Sequence, residues 1–365
     1  MRVYGENEEN ALTSGERASH IGKIAVGLAL YVGLLMLMDT QLKGFYLGVM
    51  ILFGINAIVC LGVSITNSYT NIFSLGFGGI MLIAAYTTSL LTLPVRYKAQ
   101  FLHLPLWLEN AQWPFVPALI AAGAVAVLSS VVLVLPAFRL RGHYFILASI
   151  GINIVMTNIG INFRAWTHGP LGVRNIPFYT NVWWVYGILL LTILFIVRLK
   201  RSKFGRAFVS IGKDQTLAAV LGVNVVLYKI YSFIIGSFIV GIGGALWVHH
   251  IGAMHPHVFE LVFVFQVIAM LAIGGPGTIS GAILGAAIIT FFTQLARPVQ
   301  EGFSLFGLEI PPLIGLIQVL IAMIIIIVMI YRPQGLLGRH EITWKTIRAA
   351  VSAVFKKTRN RNLKG

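Results

Sequence analysis

Hydrophobic residues in this chain run in long blocks, and the polar residues collect in the gaps between them. Ten blocks stand out, at 22–38, 45–65, 72–92, 115–135, 143–162, 182–198, 228–248, 258–274, 278–296 and 313–331. A helix crossing a bilayer needs about 20 mostly apolar residues. Backbone in hydrocarbon must satisfy its own hydrogen bonds. The blocks therefore predict an all-α integral membrane protein of about ten transmembrane helices.

Composition agrees with the pattern. The chain is 58% hydrophobic and 10% charged, against roughly 25% charged residues in soluble domains. Its single cysteine, Cys60, lies inside an apolar block and excludes a disulfide framework. The opening MRVYGENEENALTSGERASH has no apolar core and does not read as a signal peptide, so the first block is expected to stay as an anchor.

Charge sets the expected topology. A net charge of +16 in a membrane protein points to basic loops on the cytoplasmic side rather than to nucleic acid. With both termini cytoplasmic in the cell (inner) membrane, 21 of the 27 Lys and Arg residues fall inside. Seven of these lie between Arg198 and Lys229, and nine between Arg332 and Lys364. The chain then divides into a cytoplasmic segment 1–21, a membrane domain 22–331 with a cytoplasmic loop at 199–227, and a basic tail 332–365. Two halves of five helices would have opposite orientations, which permits an inverted repeat. The halves show no evident sequence similarity.

The longest inside connection contains RSKFGRAFVSIGKDQTLAAVLG, the most polar part of the chain interior. A short helix is predicted from Asp214 to Leu221. Asp214 suits the positive end of the helix dipole, and Gly222 supplies a stop. Leu217, Val220 and Leu221 share one apolar face at i, i+3, i+4 spacing. Such a face either packs on its own bundle or docks on a partner.

These residues also carry a resemblance. Gly205-Arg206-Ala207, Ile211, Asp214, Ala218-Ala219, Leu221-Gly222-Val223-Asn224, Tyr228-Lys229 and Gly243-Gly244-Ala245-Leu246 resemble the coupling loop and following helix of branched-chain amino acid ABC importer permeases. The general importer pattern there is Glu-Ala-Ala, three residues, Gly. Thr216 and Leu217 replace its Glu and first Ala, Ala218 and Gly222 match, and the acidic residue is displaced to Asp214. FRLRGHYFILAS (138–149), THGPLGVRNIP (167–177), AMLAIGGPGTISGAILGA (269–286) and YRPQGLLGR (331–339) resemble further segments of that family, in the same order. SLGFGGIMLIAAYTTSLL (74–91) is a weaker match. The match favours the longer of the two permease types.

The resemblance implies a non-catalytic subunit forming half of a pore for leucine, isoleucine or valine. It implies a second, homologous permease, two cytoplasmic ATPase subunits that bind ATP and Mg, and an external substrate-binding protein. Leu217, Val220 and Leu221 would dock on an ATPase, with Lys213, Asp214 and Gln215 as a polar rim and Ala218 and Gly222 completing the motif. The same mechanism with urea, a short amide or another amino acid as cargo is the alternative. A stand-alone secondary carrier and a membrane enzyme or scaffold are alternatives of other classes.

The remaining chemistry narrows these. No span carries an Asp or Glu well inside it, and Asp39 and Glu260 lie near span ends. An ion-driven carrier usually needs an intramembrane carboxylate. No GxxxxGK[ST] phosphate loop is present, so no cofactor is expected on this chain. No catalytic constellation is evident in the spans. Asn56, Asn153, Thr157, Asn158 and Gln266 are polar positions within spans and candidates for the substrate path, each weighed against a simple helix–helix hydrogen bond. Gly274 and Gly275, in the stretch Gly274-Gly275-Pro276-Gly277, are candidates for a helix break at a membrane edge. Gly277, Gly281 and Gly285 are expected to share one close-packing helix face, as are Ser237, Gly241 and Ala245. The histidines of HHIGAMHPH read as an outer loop rather than a metal site. The tail ITWKTIRAAVSAVFKKTRNR reads as a basic amphipathic helix, with Ile347, Ala350, Val351, Val354 and Phe355 on one face.

Overall fold

The computed structural model describes residues 14–338, apart from 43, 135–136, 138–142, 302, 306–307, 311 and 314, together with Glu341. The expected tail helix, the first thirteen residues and the whole FRLRG stretch (138–142) lie outside the described residues.

The chain forms α1 (Ser14–Gln41), α2 (Phe45–Ser64), which continues as a π-helical turn over Ile65–Tyr69, and α3 (Phe77–Thr92). Two short helices follow, α4 (Val95–Phe101) and α5 (Leu106–Glu109), then α6 (Phe115–Val134), α7 (His143–Asn162) and the turn α8 (Arg164–Thr167). Next come α9 (Val182–Arg201), α10 (Lys203–Lys213), α11 (Gln215–Val220) and α12 (Val225–Ile251). The described part ends with α13 (Leu261–Gly274), α14 (Ile279–Glu301) and α15 (Leu316–Tyr331). A two-stranded antiparallel hairpin, Phe303–Leu305 with Leu308–Ile310, stands between the last two helices.

Each of the ten apolar blocks becomes a helix. Among the described residues, seven segments are long and apolar enough to cross a membrane, and Ala29–Gln41, α3 and α15 are shorter apolar helices. The protein is a multi-pass α-helical membrane protein.

Contacts at the helix ends show how the chain alternates. On one face, Lys200 at the end of α9 donates to the Gly277 carbonyl at 3.0 Å and pairs with Glu341 beyond α15. Its ammonium lies 4.5 Å from the ring of Tyr69, at the end of α2. On the opposite face, His249 near the end of α12 meets Pro177 O at 2.8 Å and Thr88 of α3 at 3.2 Å. It also packs edge-on against Phe115 at the start of α6, 5.1 Å between ring centres.

The core centres on α2, α3 and α12. Gly54 to Ser64 of α2 are buried without interruption, so this helix is surrounded on all sides. Between lipid-soluble helices there is little hydrophobic force, and close backbone approach through small residues supplies the packing instead. A Cβ on Gly236 would lie 2.9 Å from Gly62 O, and one on Gly244 would lie 2.6 Å from Met81 O. These contacts seat α12 on α2 and on α3. In the expected small-residue row of α12, Ser237 and Ala245 are fully buried, and a Cβ on Gly241 would meet the Ala126 Cβ of α6 at 2.5 Å.

Three helices start three residues or more after their apolar blocks. The block at 72–92 becomes α-helical only at Phe77, the block at 258–274 only at Leu261 and the block at 313–331 only at Leu316. Ahead of α3 the backbone is satisfied by side chains. Asn67 Oδ1 accepts from Ser74 N at 3.2 Å, and Ser149 Oγ accepts from Leu75 N at 2.9 Å. Non-helical backbone at this depth is tolerated because protein groups receive its hydrogen bonds.

Candidate functional site

The polar loop folds into two helices, where one was expected. Ser202 caps α10 through Gly205 N at 3.2 Å. α10 is strongly amphipathic and buries Gly205, Ala207, Phe208 and Ile211. Asp214 lies outside the helix it was expected to begin. It breaks the chain between α10 and α11, and its carboxylate accepts from Thr216 N at 2.8 Å and Leu217 N at 3.0 Å. That is an N-cap, which satisfies two otherwise free donors.

The second helix, α11, is held from below. Ala218, a member of the expected motif, is buried at its base, 1% exposed. Gln215 Oε1 accepts from Lys229 Nζ of α12 at 2.9 Å. Val223 N reaches Ala218 O at 3.0 Å, and Gly222 takes the left-handed conformation with φ +84°. Leu217, Val220 and Leu221 point away from this anchorage, at 57%, 79% and 71% exposure. Lys213 is also exposed. A rigid route leads from here into the core. A Cβ on Gly212 of α10 would lie 2.3 Å from Tyr69 O, so α10 rests on the backbone at the end of α2. The sequence signal for α10 is the run Phe204, Phe208, Ile211 behind a serine cap.

The polar span residues take the following places. Asn56 Nδ2 donates to Thr290 Oγ1 at 2.8 Å, linking α2 to α14. Asn153, 1% exposed, donates to Phe259 O at 3.4 Å. A Cβ on Gly78 would lie 2.3 Å from both that amide nitrogen and that carbonyl oxygen. The middle of α7, the start of α3 and the approach to α13 therefore meet at one point. Thr157, on the same helix, donates to Asn153 O at 3.2 Å. Asn158 faces outward and returns its amide to Ile154 O at 2.9 Å. Gln266 reaches Thr293 Oγ1 at 3.5 Å, between α13 and α14. Of these, only Asn153 and Thr157 come together.

The glycine stretch divides. A Cβ on Gly274 would lie 1.9 Å from Gly281 O, and one on Gly285 would lie 1.8 Å from Met270 O, so α13 and α14 touch backbone to backbone. Gly277, expected on the same helix face, is instead in the turn before α14, with φ +88° and no neighbour within 4 Å of an added Cβ. Gly275 has φ +118°, and the segment after α15 folds over it. Leu336 N donates to Ile273 O at 2.8 Å and Leu337 N to Gly274 O at 3.2 Å.

The histidine-rich stretch is not one loop. His249 is fully buried at the end of α12. His257 pairs with Glu260, and both side chains remain partly exposed. Glu260 precedes α13 at the level of Phe259, and therefore beside the middle of α7 rather than at the membrane edge. Among the described residues, no three His, Cys, Asp or Glu side chains come together as a metal site. On the face opposite α10 and α11, Lys98 is fully buried and donates to Leu108 O at 3.1 Å and to Ala111 O. Burial pushes its pKa down to about 8.

Comparison with known proteins gives the following. The family model described as "Branched-chain amino acid transport system / permease component" matches residues 45–331. The high-affinity branched-chain amino acid transport system permease protein LivM of Salmonella typhimurium is 26% identical over 314 residues, covering 77% of this chain and 67% of its own. LivM of Escherichia coli K12 shows the same identity and coverage. The probable branched-chain amino acid transport permease protein LivH of Methanocaldococcus jannaschii is 22% identical over 344 residues, covering 87% of this chain and 98% of its own. No solved structure matches.

Proposed function

The chain belongs to the family of permease components of branched-chain amino acid transport systems, in its longer, LivM-like form, and from that premise we propose that it is one half of the pore of an ATP-driven importer for leucine, isoleucine and valine. A second, homologous permease supplies the other half. Two ATPase subunits bind ATP and Mg on the cytoplasmic side, and an external binding protein delivers the amino acid. The face with α10, α11 and Lys200 is the cytoplasmic one, in keeping with its share of Lys and Arg.

The observation that carries this reading is the exposed apolar face of α11. Leu217, Val220 and Leu221 stand in water on a helix that is capped, anchored by Ala218 and Gln215, and braced through Gly212 onto α2. Exposed apolar side chains on a rigid mount are what a docking contact needs. Closure of the ATPase pair then moves α11 and α10 together. Because α10 abuts the Tyr69 backbone, the motion passes to the central helix and changes which face of the pore is open. The Lys200 contacts to Tyr69, Gly277 and Glu341 gather the other moving ends at the same place.

The test is uptake of labelled leucine and urea into proteoliposomes holding the chain with its co-purifying partners, binding protein outside and ATP inside. Leucine uptake should require ATP and should be lost in Leu217→Arg while the protein remains folded, because Leu217 is exposed. Urea uptake in place of leucine would keep the mechanism and change the cargo. ATP-independent uptake by the isolated chain, driven by an ion gradient, would overturn the proposal.

A further inference from the structure

The His257–Glu260 pair lies at a depth where lipid offers no partner for it. Two internal rulers agree on that depth. α13 has 14 residues between Glu260 and the Gly275 turn, or about 21 Å of helix at 1.5 Å per residue. The hydrocarbon layer is about 30 Å thick, so Glu260 sits well inside it. Independently, the Phe259 carbonyl takes the amide of Asn153, which is near the middle of α7 (His143–Asn162).

At this depth the side chains of His257 and Glu260 are still 49% and 43% exposed. Val262 and Phe265, just beyond, are 55% and 53% exposed. Charged groups within a span face a water-filled cavity or the bundle interior, because facing lipid costs several kcal/mol. No side chain caps the first turn of α13, so its leading N–H groups add a positive end at the same place.

We propose that His257 and Glu260 line the water-filled translocation path and bind the charged groups of a zwitterionic α-amino acid. The Glu260 carboxylate takes the ammonium. His257 and the first turn of α13 take the carboxylate. Val262 and Phe265 meet the aliphatic side chain. The two residues now satisfy each other, and a zwitterion inserted between them replaces one contact with two while adding no net charge. This inference rests on the transport reading, since it names where the cargo is held.

The experiment uses the assembled transporter and exploits its cysteine content. The chain's one cysteine, Cys60, is fully buried. Glu260→Cys and Val262→Cys are exposed in turn to a positively charged thiosulfonate reagent in proteoliposomes. Leu128→Cys on α6, more exposed than either at 63%, is the lipid-facing reference. The two path positions should react at least tenfold faster than Leu128→Cys, and leucine with its binding protein should slow them. In parallel, Glu260→Gln should raise the KM for leucine about tenfold or more, the loss of one charge-assisted contact, and Glu260→Asp should restore most of it. Reaction no faster than at Leu128→Cys would overturn the proposal. So would labelling confined to the chain without its permease partner, which would place the pair in a subunit interface. If the unmodified transporter takes up no leucine, the transport reading fails by itself, while the labelling rates still decide whether the pair faces water.

Discussion

Replacing Gly285 by alanine probes the seam between α13 and α14 directly. The added Cβ would stand 1.8 Å from Met270 O and 3.0 Å from Gly274 N. A relaxed carbon–oxygen contact is about 3.3 Å, so the two backbones must separate by roughly 1.5 Å. Neither atom belongs to a side chain that can turn aside. Overpacking costs typically about 1–3 kcal/mol, and a clash of backbone with backbone belongs at or above the top of that range. Gly274→Ala should behave alike, because its Cβ would lie 1.9 Å from Gly281 O. Gly187→Ala, inside α9 with no neighbour within 4 Å, should instead gain up to about 0.5–1 kcal/mol from the better helix former. Gly277→Ala meets open space, and its cost is the left-handed backbone alone, about 1 kcal/mol. Reversible unfolding in bicelles, read by steric trapping, gives the four values on one scale. The order should be Gly285 and Gly274 worst, then Gly277, then Gly187. If Gly285→Ala proves as stable as Gly187→Ala, the helices do not approach as described and the seam is not what holds α13 in place.

Other consequences are equally open to measurement. Asp214→Ala removes a cap worth about 1 kcal/mol; hydrogen exchange at the Thr216 and Leu217 amides should quicken about fivefold, and Asp214→Asn should keep most of the protection. Asn56→Ala and Thr290→Val, alone and together, should give a coupling energy of about 0.6–1.7 kcal/mol, whereas additive effects would show that the 2.8 Å contact contributes nothing. Lys98 has its folded pKa lowered to about 8, so the unfolded chain holds more protons between that value and the ordinary lysine value. Stability should therefore rise with pH across that window; melting scans from pH 7 upward should show the gain in the native protein and not in Lys98→Met.

The amino-acid sequence alone determined the membrane class, the ten helical blocks and the stop at Gly222. Block length, charge and turn chemistry are local properties that need no partner to act. The exposed apolar face of α11 was legible for the same reason, since Leu217, Val220 and Leu221 stand out against polar neighbours. Tertiary structure decided which face of each helix is inward, because core and lipid are equally apolar and leave no contrast to read. It decided that α2 is surrounded from Gly54 to Ser64. It separated Gly281 and Gly285, which meet α13, from Gly277, which does not. It also brought Glu260 from the apparent edge of a span to the middle of α7. The physical reason is that a helix start inside the bilayer depends on which distant groups, here Asn153 and Ser149, receive the unwound backbone, and such pairings are written in no single stretch of the chain.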